Sequence, residues 1–150
     1  MHNPSTDLVD ALERLNRLHH DFRNEVNNAL INHGLTLSKV RVLKAIEEHE
    51  ACNATEVMAV LSYSCRSVTE SLESLEVAGL ITRHKTPGNR KVKIISLTEQ
   101  GQDRLHLAMQ VRNDILTTLL SCLEGSELVL FRNIINKIWL SHGQNKHPGE

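Results

Sequence analysis

"SCRSVTESLESLEVAGLITRHKTPGNRKVKIISL", residues 64–97, changes its hydrophobic period partway through. Up to Gly79 the apolar side chains Val68, Leu72 and Leu75 fall at steps of four and three, the single stripe of an amphipathic helix. Ser64 is suited to cap the start of that helix and Gly79 to end it. From Leu80 the pattern shortens. "LITRHK" and "KVKIISL" are β-rich runs, and "TPGN" between them carries Pro-Gly-Asn as turn chemistry. The stretch therefore reads as a helix followed at once by a β-hairpin.

Two shorter helices are expected just upstream. One follows Thr36 and turns Val40, Leu43 and Ile46 inward. The next begins at "NATE", where Asn53 caps and Glu56 stands three residues on, as in a capping box, and it runs to Leu61. Ser62-Tyr63-Ser64 then forms a tight turn into the helix of residues 65–78, which makes a helix-turn-helix. Three short helices and a hairpin, in that order, define a winged helix.

Long helices flank this block. Leu8, Leu12, Leu15, Leu18, Phe22, Val26 and Leu30 trace one stripe over residues 7–32, with Gly34 as the stop. So long an apolar stripe exceeds what a small globule can cover, and part of it is expected to meet another subunit. After the hairpin, Thr98 caps a helix over about residues 99–123, bearing Leu105, Ala108, Ile115 and Leu119. "EGS" breaks the chain, and Ser126 is read as the cap of a last helix carrying Leu128, Phe131, Ile134, Ile135 and Ile138. The expected fold is mainly α with one small hairpin (α+β). It is organised as a dimerisation helix at 1–34, a winged helix-turn-helix lobe at 35–98, C-terminal dimerisation helices at 99–142 and a polar, disordered tail at 143–150.

Composition narrows the function. At 150 residues, with 40% hydrophobic and 23% charged side chains, the chain has the balance of one ordinary globular domain. No apolar run is long enough to span a membrane, and the N-terminus lacks the layout of a signal peptide. Cys52, Cys65 and Cys122 form neither a disulfide framework nor a CxxC site, so a reducing cytoplasm is the expected setting. No Gly-rich phosphate loop, GxSxG or HExxH is present, and Glu47 and Glu48 read as a solvated helix end; no enzyme and no cofactor is expected. Nine histidines invite a metal reading, but His19 and His20 diverge by about 100° on a helix, and His106 has no ligand-type residue at the +3 or +4 position. No metal site is assigned.

The charge pattern is sharper. Residues 83–94 hold Arg83, Lys85, Arg90, Lys91 and Lys93 without an acid, in a chain of net charge −1. Five of the 17 basic residues sit there, leaving 12 against 18 acids elsewhere. A slightly acidic protein with one cationic finger is built for local phosphate attraction, not for coating nucleic acid at large. On the helix before it, Arg66, Glu70 and Glu73 lie opposite the apolar stripe, flanked by Ser67, Thr69 and Ser74. Arg66 is suited to bidentate contact with guanine and Glu70 to accepting from cytosine N4. Ser64 and Lys85 are assigned to phosphates, and Asn89, Arg90 and Lys91 to the backbone and minor groove beside the wing. The helix itself carries one cation against Glu70, Glu73 and Glu76, so the wing is expected to supply affinity and the helix selectivity.

"LTLSKVRVLKAI" (35–46), "SVTESLESLEVAGLITR" (67–83) and "KVKIISLTEQG" (91–101), at this spacing, resemble the MarR family of bacterial transcription regulators over roughly residues 8–140. The resemblance implies a homodimer whose N- and C-terminal helices pair and whose two winged helices sit on palindromic double-stranded DNA. It also implies repression relieved by a small-molecule effector, often phenolic or lipophilic, or by oxidation. His19, with Leu15 and Phe22, stands on the side of the first helix where family members often hold a ligand. Two departures stand out. The family wing often has Asp-x-Arg where this chain has Asn89 and Lys91 with Arg90 between, and Glu70 occupies a position that is often basic.

Two further readings stand beside this one. Cys65 opens the recognition helix next to Arg66, where helix N–H groups and a cation favour thiolate, and would make a redox sensor. Its helical angle instead places it half buried beside Val68 and Leu72, and the first helix lacks the cysteine usual in the peroxide-sensing branch. Cys52 in a loop and Cys122 at a helix end are read as structural. From another class, the same winged helix would serve as a protein–protein module, with Glu70, Glu73 and Glu76 facing a basic partner.

Overall fold

The computed structural model describes residues 4–49, 52–86 and 88–144, with the side chains of 4–6, 86, 89–92 and 143–144 left aside. The elements run α1 (Pro4–Ile31), α2 (Leu37–Glu48), α3 (Ala54–Leu61), α4 (Cys65–Val77), β1 (Ile81–Thr86), β2 (Asn89–Leu97), α5 (Glu99–Leu119) and α6 (Gly125–Gln144). This is the expected mainly helical winged helix-turn-helix. The chain forms two compact units, Met1–Ile115 and Leu116–Glu150.

The first unit is a three-helix block closed by the hairpin. Val42, Leu43 and Ile46 of α2, Val57 of α3 and Val68, Leu72 and Leu75 of α4 share one core with Ile81 and Ile95 of the sheet and Leu105 and Ala108 of α5. Val26 and Leu30 of α1 lie in it too, so the last turns of that helix belong to the winged lobe. Leu8, Leu12, Leu15 and Leu18, earlier on the same stripe, are exposed.

Short polar links end one helix and start the next. Thr36 caps α2 through its Oγ1, which accepts from Lys39 N at 3.3 Å, and Asn27 of α1 accepts a bond from Leu37 N at 3.0 Å. The capping box is present as read: Asn53 Oδ1 accepts from Glu56 N at 3.1 Å and Glu56 Oε2 from Asn53 N at 2.7 Å. Gly79, at φ +70°, closes α4 in a Schellman turn, with Leu80 N bonded to Leu75 O at 2.9 Å. Thr98 Oγ1 donates to Gly79 O at 2.7 Å and accepts from Gly101 N at 3.0 Å, so one hydroxyl joins the end of α4 to the start of α5.

The hairpin pairs Ile81 with Leu97 through Lys85 with Lys93 in regular antiparallel register, then slips between Lys85 and Thr86 before the Thr86–Asn89 pair. Cys52 adds an isolated bridge to the sheet, donating no side chain to solvent: Ile95 N bonds to its carbonyl at 2.8 Å, and its thiol is buried. The structural reading of Cys52 fits that environment.

Three expectations are corrected in detail. α5 stops at Leu119 rather than near 123, because Ser121 Oγ donates to Thr118 O at 2.8 Å and the chain tightens into i to i−3 bonds. Cys122 thus lies in an exposed turn beyond the helix. The last helix begins one residue before Ser126: Glu124 is the cap, its N–H donating to Glu127 Oε2 at 2.8 Å, and Ser126 sits inside the first turn. It also continues to Gln144, into the stretch read as a tail; residues 145–150 lie outside the described residues.

Candidate nucleic-acid interface and effector cleft

The N-terminal half of α4 presents a polar face because its apolar stripe is spent on the core. Val68, Leu72 and Leu75 are buried, and Arg66, Ser67, Thr69 and Glu70 are all exposed. Ser64 is the N-cap: its Oγ accepts from Ser67 N at 3.2 Å and lies 2.9 Å from Ser67 Oγ. Arg66 and Glu70 form an ion pair, Nε to Oε1 at 2.8 Å, with 88% and 62% of their side chains exposed. At that exposure, with Arg preceding Glu along the helix, the pair contributes at most a few tenths of a kcal/mol to stability. Both groups remain available to a partner.

Cys65 is exposed as the first residue of α4, not half buried as its helical angle suggested. The first turn of a helix projects beyond the core that its later turns cover, so angle alone misplaces a residue there.

The wing divides into an anchored base and a cationic outer part. Alternation puts Ile81, Arg83 and Lys85 on one face of β1. Ile81 is in the core, and Arg83 turns onto α4, its Nε 3.1 Å from Glu76 Oε2 and only 19% of its side chain exposed. Hydrogen-bond alignment is lacking there: Arg83 Nε and Nη2 have no hydrogen-bond partner among the described residues. Arg83 therefore belongs to the fold rather than to the cationic finger. One step further on the same face, Lys85 is exposed and directly opposite exposed Lys93. Facing like charges cost stability in a sheet, so this pair serves something other than the hairpin's own folding. Lys93 was not singled out from sequence; the register alone brings it to Lys85. Asn89, Arg90 and Lys91 lie on β2 at the far end of the hairpin, and their side chains are outside the described residues.

A cleft of about 470 Å³ opens between α1, α2 and α5 within the first unit. Its floor is apolar, from Phe22, Val26, Leu37, Val40 and Met109. Its rim carries His19 and four cations, Arg23, Arg41, Lys44 and Arg112, and among the described residues no carboxylate is in its lining. Lys44 shares its charge with Glu48 at 3.5 Å. Two of the three residues singled out from sequence, His19 and Phe22, are in the lining; Leu15, a turn earlier on α1, is not. The cationic rim was missed because it is assembled from three helices whose spacing the sequence does not state.

A helix-turn-helix followed by a hairpin that packs through its base on the second helix is the winged-helix class of regulator. The MarR family model matches residues 35–93, the whole of that lobe from α2 into β2. The HTH-type transcriptional regulator PapX of Escherichia coli is 30% identical over 112 residues, covering 75% of this chain and 66% of that one. The fold is shared with the YusO protein of Bacillus subtilis (TM-score 0.81, 22% identity, 93% of this chain and 99% of that one). It is also shared with a mutant MarR of E. coli complexed with operator DNA (TM-score 0.69, 18% identity, 91% of this chain and 99% of that one). The chain belongs to the MarR family of transcription regulators.

Proposed function

We propose that the protein is a repressor that binds a palindromic operator as a homodimer in the cytoplasm and leaves it when a small phenolic or lipophilic effector occupies the α1–α2–α5 cleft. The observation that carries the DNA reading is the pairing of an exposed, hydroxyl-rich α4 face bearing Arg66 with a hairpin whose Lys85 and Lys93 stand opposed. The first supplies base-edge donors in the major groove and the second supplies phosphate contacts. Arg90 and Lys91 extend the wing contact. The dimer reading is supported by exposed apolar side chains that a lone chain leaves in water, on α1 at Leu8, Leu12, Leu15 and Leu18 and on α6 at Phe131, Ile134, Ile135 and Ile138. Among the described residues no helix is long and apolar enough to cross a membrane.

The deciding experiment is selection of bound fragments from the source genome, followed by titration of the recovered duplex. Enrichment of an inverted repeat bound by two chains supports the reading; retention of random fragments only, at the affinity of any basic domain, refutes it. The protein-contact alternative keeps Glu70 and Glu73 on the exposed face of α4, while Glu76 is engaged by Arg83; duplex affinity below that of any basic domain would favour it. A redox-responsive regulator is favoured by one observation, the exposure of Cys65 beside the assigned base contacts. Peroxide treatment that leaves duplex affinity unchanged would dismiss it.

A further inference from the structure

Arg66 and Glu70 stand one turn apart on the exposed face of α4, because Val68 and Leu72 turn the opposite side of that helix into the core. Arg66 Nε donates to Glu70 Oε1 at 2.8 Å. The fold gains almost nothing from this pair: 88% and 62% of the two side chains are exposed, and Arg before Glu is the weaker order on a helix. Its geometry matters more to a partner. An arginine left to itself samples many rotamers and must be frozen when it binds. Here the bond takes the Nε–H and leaves Nη1 and Nη2, the outer end of the fork. Two donors side by side match the O6 and N7 acceptors of one guanine in the major groove.

The carboxylate has a second effect. Any duplex presents it with phosphates, so a negative charge on this face weakens binding to all sequences alike. Arg66 compensates it locally, and the compensation grows as water leaves the contact. A cation whose charge is shared with Glu70 adds little to binding at large and acts where its donors meet base acceptors. We propose that Glu70 is a positioning residue for Arg66, holding the guanidinium by Nε so that its terminal nitrogens read one guanine, and withholding affinity from duplexes that lack that guanine. Glu70 then acts through Arg66 and not, as its residue type suggested, as an acceptor from cytosine N4. The proposal rests on the DNA reading above and gives its selectivity a two-residue source.

The test uses the full-length protein, the duplex recovered by selection, versions of it with each base pair changed in both half-sites, and a random duplex. Arg66→Ala locates the contact: it is expected to flatten one G·C position that the parent favours by about tenfold per half-site. Glu70→Ala is expected to flatten the same position to within about threefold and to tighten binding to the random duplex about threefold. The double variant should be no flatter than either single one. It should bind duplex more tightly than Arg66→Ala alone, since it no longer carries an uncompensated carboxylate. Glu70→Gln, whose amide oxygen still accepts from Nε, should keep the preference while gaining affinity for the random duplex. Glu73→Ala removes the same charge one turn further along the exposed face and should tighten random binding without touching the Arg66 position. Relaxation at a separate C·G position in Glu70→Ala, additive with Arg66→Ala, makes Glu70 a direct reader and overturns the proposal. So does a Glu70→Ala profile that matches Glu73→Ala. If selection recovers no preferred duplex, the operator reading falls and this proposal with it; a recovered operator with either of those two profiles removes the proposal alone.

Discussion

Gly101 shows how much one hydrogen atom can decide. A Cβ built there meets Leu80 O at 2.0 Å, a backbone atom that cannot swing aside because it accepts from Thr98 N at 3.0 Å. Gly101→Ala is therefore expected to destabilise the fold by about 3 kcal/mol, at the upper end of overpacking costs, measurable by urea unfolding. Arg66 behaves in the opposite way. It is exposed and its ion pair with Glu70 is weak, so Arg66→Ala should leave the unfolding midpoint unchanged while costing about 1–3 kcal/mol of discrimination at one base position. Competition between the operator and single-base variants of it would show this. The cysteines separate by burial. Desolvation pushes the Cys52 thiol up, and the nearby Glu56 charge adds to the effect. Cys52 should resist a disulfide reagent until the protein unfolds, whereas Cys65 reacts in the native state. The sign of the linkage is fixed: with a raised native value, the contribution of Cys52 is full at neutral pH and fades as pH climbs past the ordinary thiol range. At this scale the sequence was informative about identity and weak about exposure. Arg83 looked like a wing cation and is held by Glu76; Cys65 looked half buried and is open.

Among elements, the hairpin is where charge and fold meet. Its base is core, through Ile81 and Ile95, and its outer part is cationic. If the wing contributes phosphate contacts, Arg90→Ala with Lys91→Ala should weaken binding to every duplex alike and reduce the slope of log affinity against log salt by about two. Titrations at several salt concentrations test this, and an unchanged slope would reassign the affinity to Lys85 and Lys93. Element boundaries were legible where a cap is a single local event. Thr36, the Asn53–Glu56 box, Ser64 and Thr98 all act as their residue types predict. Boundaries failed where several local signals competed. Near 118–126, Thr118, Ser121, Glu124 and Ser126 each offer the backbone a partner, and Ser121 and Glu124 prevailed.

Across the whole molecule, the unanswered demand is apolar surface. α6 leaves Phe131, Ile134, Ile135, Ile138 and Trp139 exposed, the last at 75%. A patch of that kind is expected to be covered by a second copy. Ile134→Asp with Ile138→Asp should yield monomers in sedimentation velocity with helical content retained, and should abolish operator binding, since one winged helix then loses its twin. A dimer that persists in this variant would place the interface elsewhere.

The amino-acid sequence by itself determined the order of elements and the class of protein. Caps, turn residues and hydrophobic period act over three or four neighbours, and the winged helix is spelled out in that local code from Asn53 to Thr98. Only the tertiary structure decided which cations are free and which are spent, and that Lys93 stands against Lys85. Those facts depend on distances between elements far apart in the chain. They are set by how the helices pack on a common core, which no local pattern records.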